Sequence, residues 1–221
     1  MNARWLTRTG APALIILFGG WALGPEPFAP LTGGQARDQA RDQAGDQTGD
    51  QDLLFVDDYR CLDLPPPDRT AYETVTVLAY SFGVASALHW LDQTGFSPDH
   101  LVAVNGTPCP ADPQKGIRPE VVRATADGLT EASFARFCRR AGMTAPPQID
   151  IAPRRDELRA ILARGNARPR HFDRIWISAQ DRIIPSAAQR QAWAAQTDQI
   201  REINAPHMPF APGQTWQGWL S

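Results

Sequence analysis

The chain has 221 residues, 43% of them hydrophobic and 21% charged, with a formal net charge of −2. That length and apolar content suit one soluble domain with a sizeable core. The near-neutral charge excludes a molecule built to coat nucleic acid or an anionic membrane.

At the N-terminus Arg4 and Arg8 precede an apolar stretch from Ala11 to Phe18, which raises the question of a secretory signal. The stretch runs straight into Gly19-Gly20-Trp21 without a small-x-small cleavage site. PALIILF (12–18) therefore reads as a fully buried parallel strand ending in a glycine turn. No apolar run approaches the roughly 20 residues of a bilayer span, so no membrane association is expected. Cys61, Cys109 and Cys138 are widely spaced, odd in number and in no metal-ligand pattern. They read as idle or buried thiols of a reducing compartment, the cytoplasm, with neither metal nor cofactor.

Residues 35–52 form a near-repeat of Asp-Gln with Ala, Arg or Gly, carrying two Arg against five acids. Such a tract is expected to be a solvated loop outside any core. LLFVDDY (53–59) is a second candidate strand, closed off by Pro65-Pro66-Pro67, and the β-branched TVTVLAY (74–80) is a third. VASALHWLDQTG (84–95) reads as a helix with a glycine stop, and LVAVNGTP (101–108) as a fourth strand ending in turn chemistry. From about 112 to 170 the pattern turns helical, notably over 130–142 and 154–165. RIWISAQD (174–181) restores a strand. SAAQRQAWAAQ (186–196) predicts a helix in which Ser186 and Gln189 fit a capping box, and QIREIN, in the 198–204 region, is a last short strand before Ala205-Pro206-His207. This alternation predicts an α/β-hydrolase-type, mostly parallel sheet with helices on both faces. The chain reads as a single domain over 1–221, with a low-complexity loop at 35–52 and a small helical lid at about 112–170.

Ala79-Tyr80-Ser81-Phe82-Gly83 sits where a strand becomes a helix, the setting of a nucleophile elbow, G-x-S-x-G in its usual form. Small residues are needed two before and two after the serine, because a large side chain there would strike the neighbouring strand or helix. Gly83 satisfies this, and Ala79 departs by one methyl. Asp181 stands just past a buried strand, where functional groups of parallel sheets gather, and His207 follows the last strand. Taken singly, each has a plainer reading: a helix-capping serine, a solvated turn residue, a surface histidine. The order Ser81, Asp181, His207 is the one this fold uses, with the lid between the first two. His89 lies inside a helix, while His100 and His171 follow no strand end. Asp173 precedes its strand, and Asp57 and Asp58 follow one, Asp58 remaining a distant alternative acid. An oxyanion hole would take the amide of Phe82 and one from the turn after the first strand, that of Trp21, although Gly-Gly-Trp also suits a plain turn.

LFGGWALGPEPF, VDDYRCLDL, AYSFGV, AVNGTPCP, ISAQDRIIP and PHMPF together resemble the BioG-type pimeloyl-acyl carrier protein methyl ester esterases of biotin synthesis, over nearly the whole chain. Gly20-Trp21, Asp58-Tyr59-Arg60 and Asn105-Gly106-Thr107-Pro108 are the most specific pieces. The resemblance makes Ala79 expected and carries the catalytic roles onto Ser81, Asp181 and His207. It implies cleavage of the methyl ester of pimeloyl-acyl carrier protein, with that carrier protein as partner. Arg118 to Arg174 contains 12 Arg against seven Asp and Glu. Arg136, Arg139, Arg140, Arg154, Arg155 and Arg159 are therefore candidates to dock an acidic carrier, or simply a solvated arginine-rich surface. A broader short-chain esterase or thioesterase with the same triad, and a non-catalytic carrier-binding relative, are the competing functions.

Overall fold

The computed structural model describes residues 1–32 and 51–221. Its sheet has seven strands in the order β1-β3-β2-β4-β5-β6-β7: β1 (Asn2–Thr7), β2 (Ala13–Phe18), β3 (Gln51–Asp57), β4 (Thr74–Tyr80), β5 (His100–Val104), β6 (Arg174–Ser178) and β7 (Ile200–Ile203). All neighbours run parallel except β1, which lies antiparallel to β3 at one edge. The central strands β2 and β4 are buried on both faces, as their unbroken apolar sequences require. Alternation divides them between two cores. Ile16 and Phe18 face a core shared with Leu88, Phe134 and Leu158, whereas Ile15 and Leu17 face one built with Phe28, Phe210, Trp216 and Trp219.

The apolar stretch after Arg8 is thus a central strand, β2. The residues around Arg4 form an edge strand that the sequence reading does not contain. Its face is largely exposed, and Arg4 pairs with Asp57 at 2.8 Å while lying over the Phe55 ring. Charge at an edge obscures the strand pattern and protects the edge from further pairing. Most of the Asp-Gln tract lies outside the described residues. Its last two residues open β3, and Asp52 corrects the expectation of a wholly solvated segment. That carboxylate is buried and accepts from the Thr9 amide at 2.6 Å and the Thr9 hydroxyl at 3.1 Å, closing the turn between β1 and β2.

Helix α1 (Gly83–Thr94) follows β4 and stops at Gly95, whose φ of 68° lets its amide close onto the Leu91 carbonyl. Three helices lie between β5 and β6: α2 (Pro119–Asp127), α3 (Glu131–Ala141) and α4 (Ile151–Arg164). Thr130 and Ser133 cap α3 reciprocally, and Gly142 ends it in the left-handed region. The capping box expected at Ser186 does not form in α5 (Ser186–Ala192): Pro185 takes the cap position and Gln189 turns inward. A short C-terminal helix, α6 (Trp216–Leu220), covers the second face; at five residues it is too short to show periodicity. Among the described residues no helix is long and apolar enough to cross a membrane.

Because β2 to β7 run parallel, their carboxyl ends share one edge of the sheet. Trp21, Ser81, Asn105, Asp181 and His207 lie in the loops that follow β2, β4, β5, β6 and β7.

Candidate active site

Ser81 occupies a tight turn with φ of 56°, and its amide donates to the Val104 carbonyl at 2.9 Å. A non-glycine residue there costs on the order of 1–3 kcal/mol, tolerated where the surroundings enforce it. Two glycines do the enforcing. A Cβ on Gly83 would lie 2.5 Å from the carbonyl oxygens of Phe18 and Gly19, and one on Gly106 would lie 2.4 Å from the Ser81 carbonyl oxygen. The elbow is wedged between the ends of β2 and β5.

The structure brings Ser81, Asp181 and His207 together. His207 Nε2 lies 3.0 Å from Ser81 Oγ, and its Nδ1 lies 2.7 Å from Asp181 Oδ2. All three residues are buried. Asp181 Oδ1 accepts the amides of Ile183 at 2.8 Å and Ile184 at 2.9 Å, while Oδ2 also accepts from Gln189 Nε2 at 2.9 Å. These three bonds hold the carboxylate in place against Nδ1, an arrangement that suits an acid orienting an imidazole.

Other candidates go elsewhere. Asp58, φ 60°, is held by a two-pronged bond from Arg60, at 2.8 Å and 2.6 Å, and that guanidinium keeps its carboxyl below the usual range. His89 bonds the Gly165 carbonyl, and His100 lies 3.7 Å from Asp173 at the opposite end of the strands. His171 is exposed.

Trp21 and Phe82 flank Ser81 in the same cavity. Among the described residues, neither backbone amide has a hydrogen-bond partner. The Trp21 indole donates to the Arg154 carbonyl at 2.8 Å, and its ring meets Phe134 and Phe137 of α3 edge-on at 5.9 and 5.2 Å. Tyr59 Oη donates to the Gly19 carbonyl at 2.7 Å and so fixes the same loop from below.

Asn105, noted in the sequence only as part of the resemblance, and Gln189, read there only as a capping residue, carry no expected role at the site. Asn105 is fully buried with φ of 46°. Its Nδ2 donates to Ser178 Oγ at 2.8 Å and to the His207 carbonyl at 2.7 Å, and its Oδ1 accepts the Ser178 amide at 2.7 Å. One side chain ties the ends of β5 and β6 to the histidine's own backbone. Asn-Gly after a strand signals a left-handed turn, but nothing local reveals these partners. Gln189 stands eight residues beyond Asp181, a spacing with no local signature.

The six arginines divide. Arg154 Nη1 pairs with the buried Glu157 at 2.9 Å, and Arg155 donates to the carbonyls of Ala126 and Leu129, so these two brace α4 internally rather than standing free for a partner. Arg159 pairs with Asp127 at 3.1 Å and lies 3.7 Å from Asp156. Arg136, Arg139 and Arg140 remain exposed on α3, and Arg136 and Arg140 line an outer cleft of about 800 Å³ reaching Trp21 and Phe82. Among the described residues no cluster of His, Cys, Asp and Glu stands ready to hold a metal.

The fold is that of the α/β-hydrolases. An α/β-hydrolase fold protein from Burkholderia ambifaria superposes with a TM-score of 0.56 at 16% identity, covering 96% of this chain and 89% of that one. BioG from Haemophilus influenzae superposes with a TM-score of 0.82 at 27% identity, covering 100% of both chains. A malonyl-[acyl-carrier protein] O-methyltransferase of Bacteroides fragilis is 28% identical over 214 residues; these are 90% of this chain but 41% of that protein, so the chain spans less than half its length. Residues 1–219 match the family described as pimeloyl-ACP methyl esterase BioG, and the chain belongs to that family.

Proposed function

We propose that the protein is a serine esterase that hydrolyses the methyl ester of pimeloyl-acyl carrier protein, with Ser81 as nucleophile, His207 as base and Asp181 as orienting acid. The observation that carries this reading is the continuous contact from Asp181 Oδ2 through the His207 ring to Ser81 Oγ, at 2.7 and 3.0 Å. His207 Nε2 takes the Ser81 proton as Oγ attacks the ester carbonyl, and the amides of Phe82 and Trp21 receive the developing oxyanion. The imidazolium returns that proton to the departing methoxy oxygen, releasing methanol. A water, deprotonated by the same nitrogen, then splits the acyl-serine and frees the ω-carboxylate.

The family supports the substrate, and the cleft agrees with it in size and lining. An acyl arm needs a mostly apolar surface to lie on, and the cleft offers Val121 of α2, Leu129, and Phe134 and Phe137 of α3. The docking surface for an acidic carrier is Arg136, Arg139 and Arg140, since Arg154 and Arg155 are engaged internally. An acyl carrier partner in biotin synthesis places the reaction in the cytoplasm. The test compares methyl pimeloyl-carrier protein with an aryl acetate, using the wild type, Ser81→Ala and an Arg139→Glu/Arg140→Glu variant. Ser81→Ala is expected to abolish both activities and fluorophosphonate labelling. The double charge reversal is expected to slow only the carrier-bound ester. Faster turnover of the aryl acetate by the wild type would instead indicate a broader esterase, and equal loss on both substrates would remove the docking surface.

A further inference from the structure

Beside Ser81 the cleft narrows into a small inner chamber of about 20 Å³, against about 800 Å³ outside. A single water needs roughly 10–15 Å³ on this measure, so the chamber holds one water or one methyl group. Leu23, Tyr80, Ala141, Met143 and His207 line it and take no part in the outer cleft, whereas Trp21, Phe82, Ile117, Phe137 and Ile183 line both.

That division assigns the substrate's two arms. The tetrahedral carbon carries Ser81 Oγ, an oxyanion, the acyl chain and the alkoxy group. The oxyanion donors stand where the two spaces meet. His207, which must protonate the leaving oxygen, lies on the inner chamber alone. An acyl chain tethered to a protein cannot enter 20 Å³, so it runs outward and the alkoxy group points inward.

The chamber is also braced against widening. The Met208 amide, next to His207, donates to the Ala141 carbonyl at the end of α3 at 2.8 Å. Gly142, φ 94°, packs so closely that a Cβ there would lie 2.5 Å from Pro206 Cγ. The Tyr80 ring lies 5.2 Å from the His207 ring, and a Cβ on Gly20 would meet it at 2.8 Å. Lid and histidine loop therefore form one wall.

We propose that this chamber is the seat of the ester's alcohol, and that Leu23 and Met143 make the enzyme selective for methyl esters by bounding it. After methanol departs, the same volume admits the hydrolytic water. The proposal rests on the serine-esterase reading above.

The experiment measures kcat/KM on methyl, ethyl, propyl and butyl esters of one acyl chain, and on methyl esters of graded acyl length. Wild type, Met143→Ala and Leu23→Ala are compared, with folding checked by circular dichroism. Met143 is only partly buried at the margin of the two cores, so its truncation is the milder change should Leu23→Ala fail to fold. For the wild type we expect a loss of about 10-fold or more per methylene added to the alcohol. Met143→Ala is expected to raise the propyl-to-methyl ratio by about 10-fold and to leave the acyl-length profile unmoved. A flat alcohol profile, or variants that shift acyl-length preference instead, with Ser81 still labelled by a fluorophosphonate, would overturn this proposal alone. A wild type inert to every ester and unlabelled at Ser81 would overturn the esterase reading, and the chamber's role with it.

Discussion

Replacing Asn105 by alanine probes the link that holds the histidine's backbone. The change removes three buried hydrogen bonds, two to Ser178 and one to the His207 carbonyl. The Ser178 amide and the His207 carbonyl are left without that partner, at about 1–3 kcal/mol each, and alanine in the left-handed region adds about 1 kcal/mol. The sum, about 3–7 kcal/mol, is a large part of the roughly 5–15 kcal/mol that holds a domain together. For a chain of this size each kcal/mol moves the melting temperature by about 2–4 °C, so a fall of about 10–20 °C is expected. Differential scanning fluorimetry reads the stability. The rate of fluorophosphonate labelling at Ser81, taken well below the lowered midpoint, reads the imidazole's alignment and should also fall. Asn105→Asp separates the two effects, because it retains an acceptor for the Ser178 amide but cannot donate to His207. A melting temperature within about 3 °C of wild type, with an unchanged labelling rate, would refute the reasoning.

Gln189→Leu removes one donor from Asp181 at nearly constant volume. A kcat lower by about 10-fold at unchanged KM is expected, the worth of one hydrogen bond to a charged group at about 1.5 kcal/mol, and steady-state kinetics would reveal whether KM moves instead. Gly83→Ala drives a methyl into the carbonyls of Phe18 and Gly19. Overpacking of this kind costs roughly 1–3 kcal/mol, so a lower melting temperature and slower serine labelling should appear together. The Arg60 guanidinium and backbone bonds hold Asp58 below the ordinary carboxylate value despite its burial. A depressed pKa contributes stability above the unfolded value, about 3.9, and loses it as pH falls through the folded value. Asn accepts the same positive φ, and Arg60 is 47% exposed, so the gap between wild type and Asp58→Asn should be no more than about 1 kcal/mol near neutrality. Urea unfolding from pH 7 downward should show that gap closing below about pH 4; a gap that widens on acidification would contradict the assignment.

The sequence by itself determined the parallel sheet and the elbow. A strand declares itself through a run of β-branched residues, and a tight turn through the small residues it requires, both within a few positions. Hence TVTVLAY-Ser81-Phe82-Gly83 was legible, as were the strand ends before Asp181 and His207. Local pattern also failed where a local signal was weak or deceptive: the charged edge strand β1, the five-residue α6, and the Ser186–Gln189 spacing that imitates a cap. Only the tertiary structure decided what depends on distant segments meeting. Asn105 finds Ser178 and His207 across 73 and 102 residues, Gln189 turns inward to Asp181, and Arg154 and Arg155 spend their charge and donors inside the protein. The size of the space beside Ser81 belongs to this second class. It is set by the gap left between α3, the β2 loop and the histidine loop, and no one segment carries that distance in its own sequence.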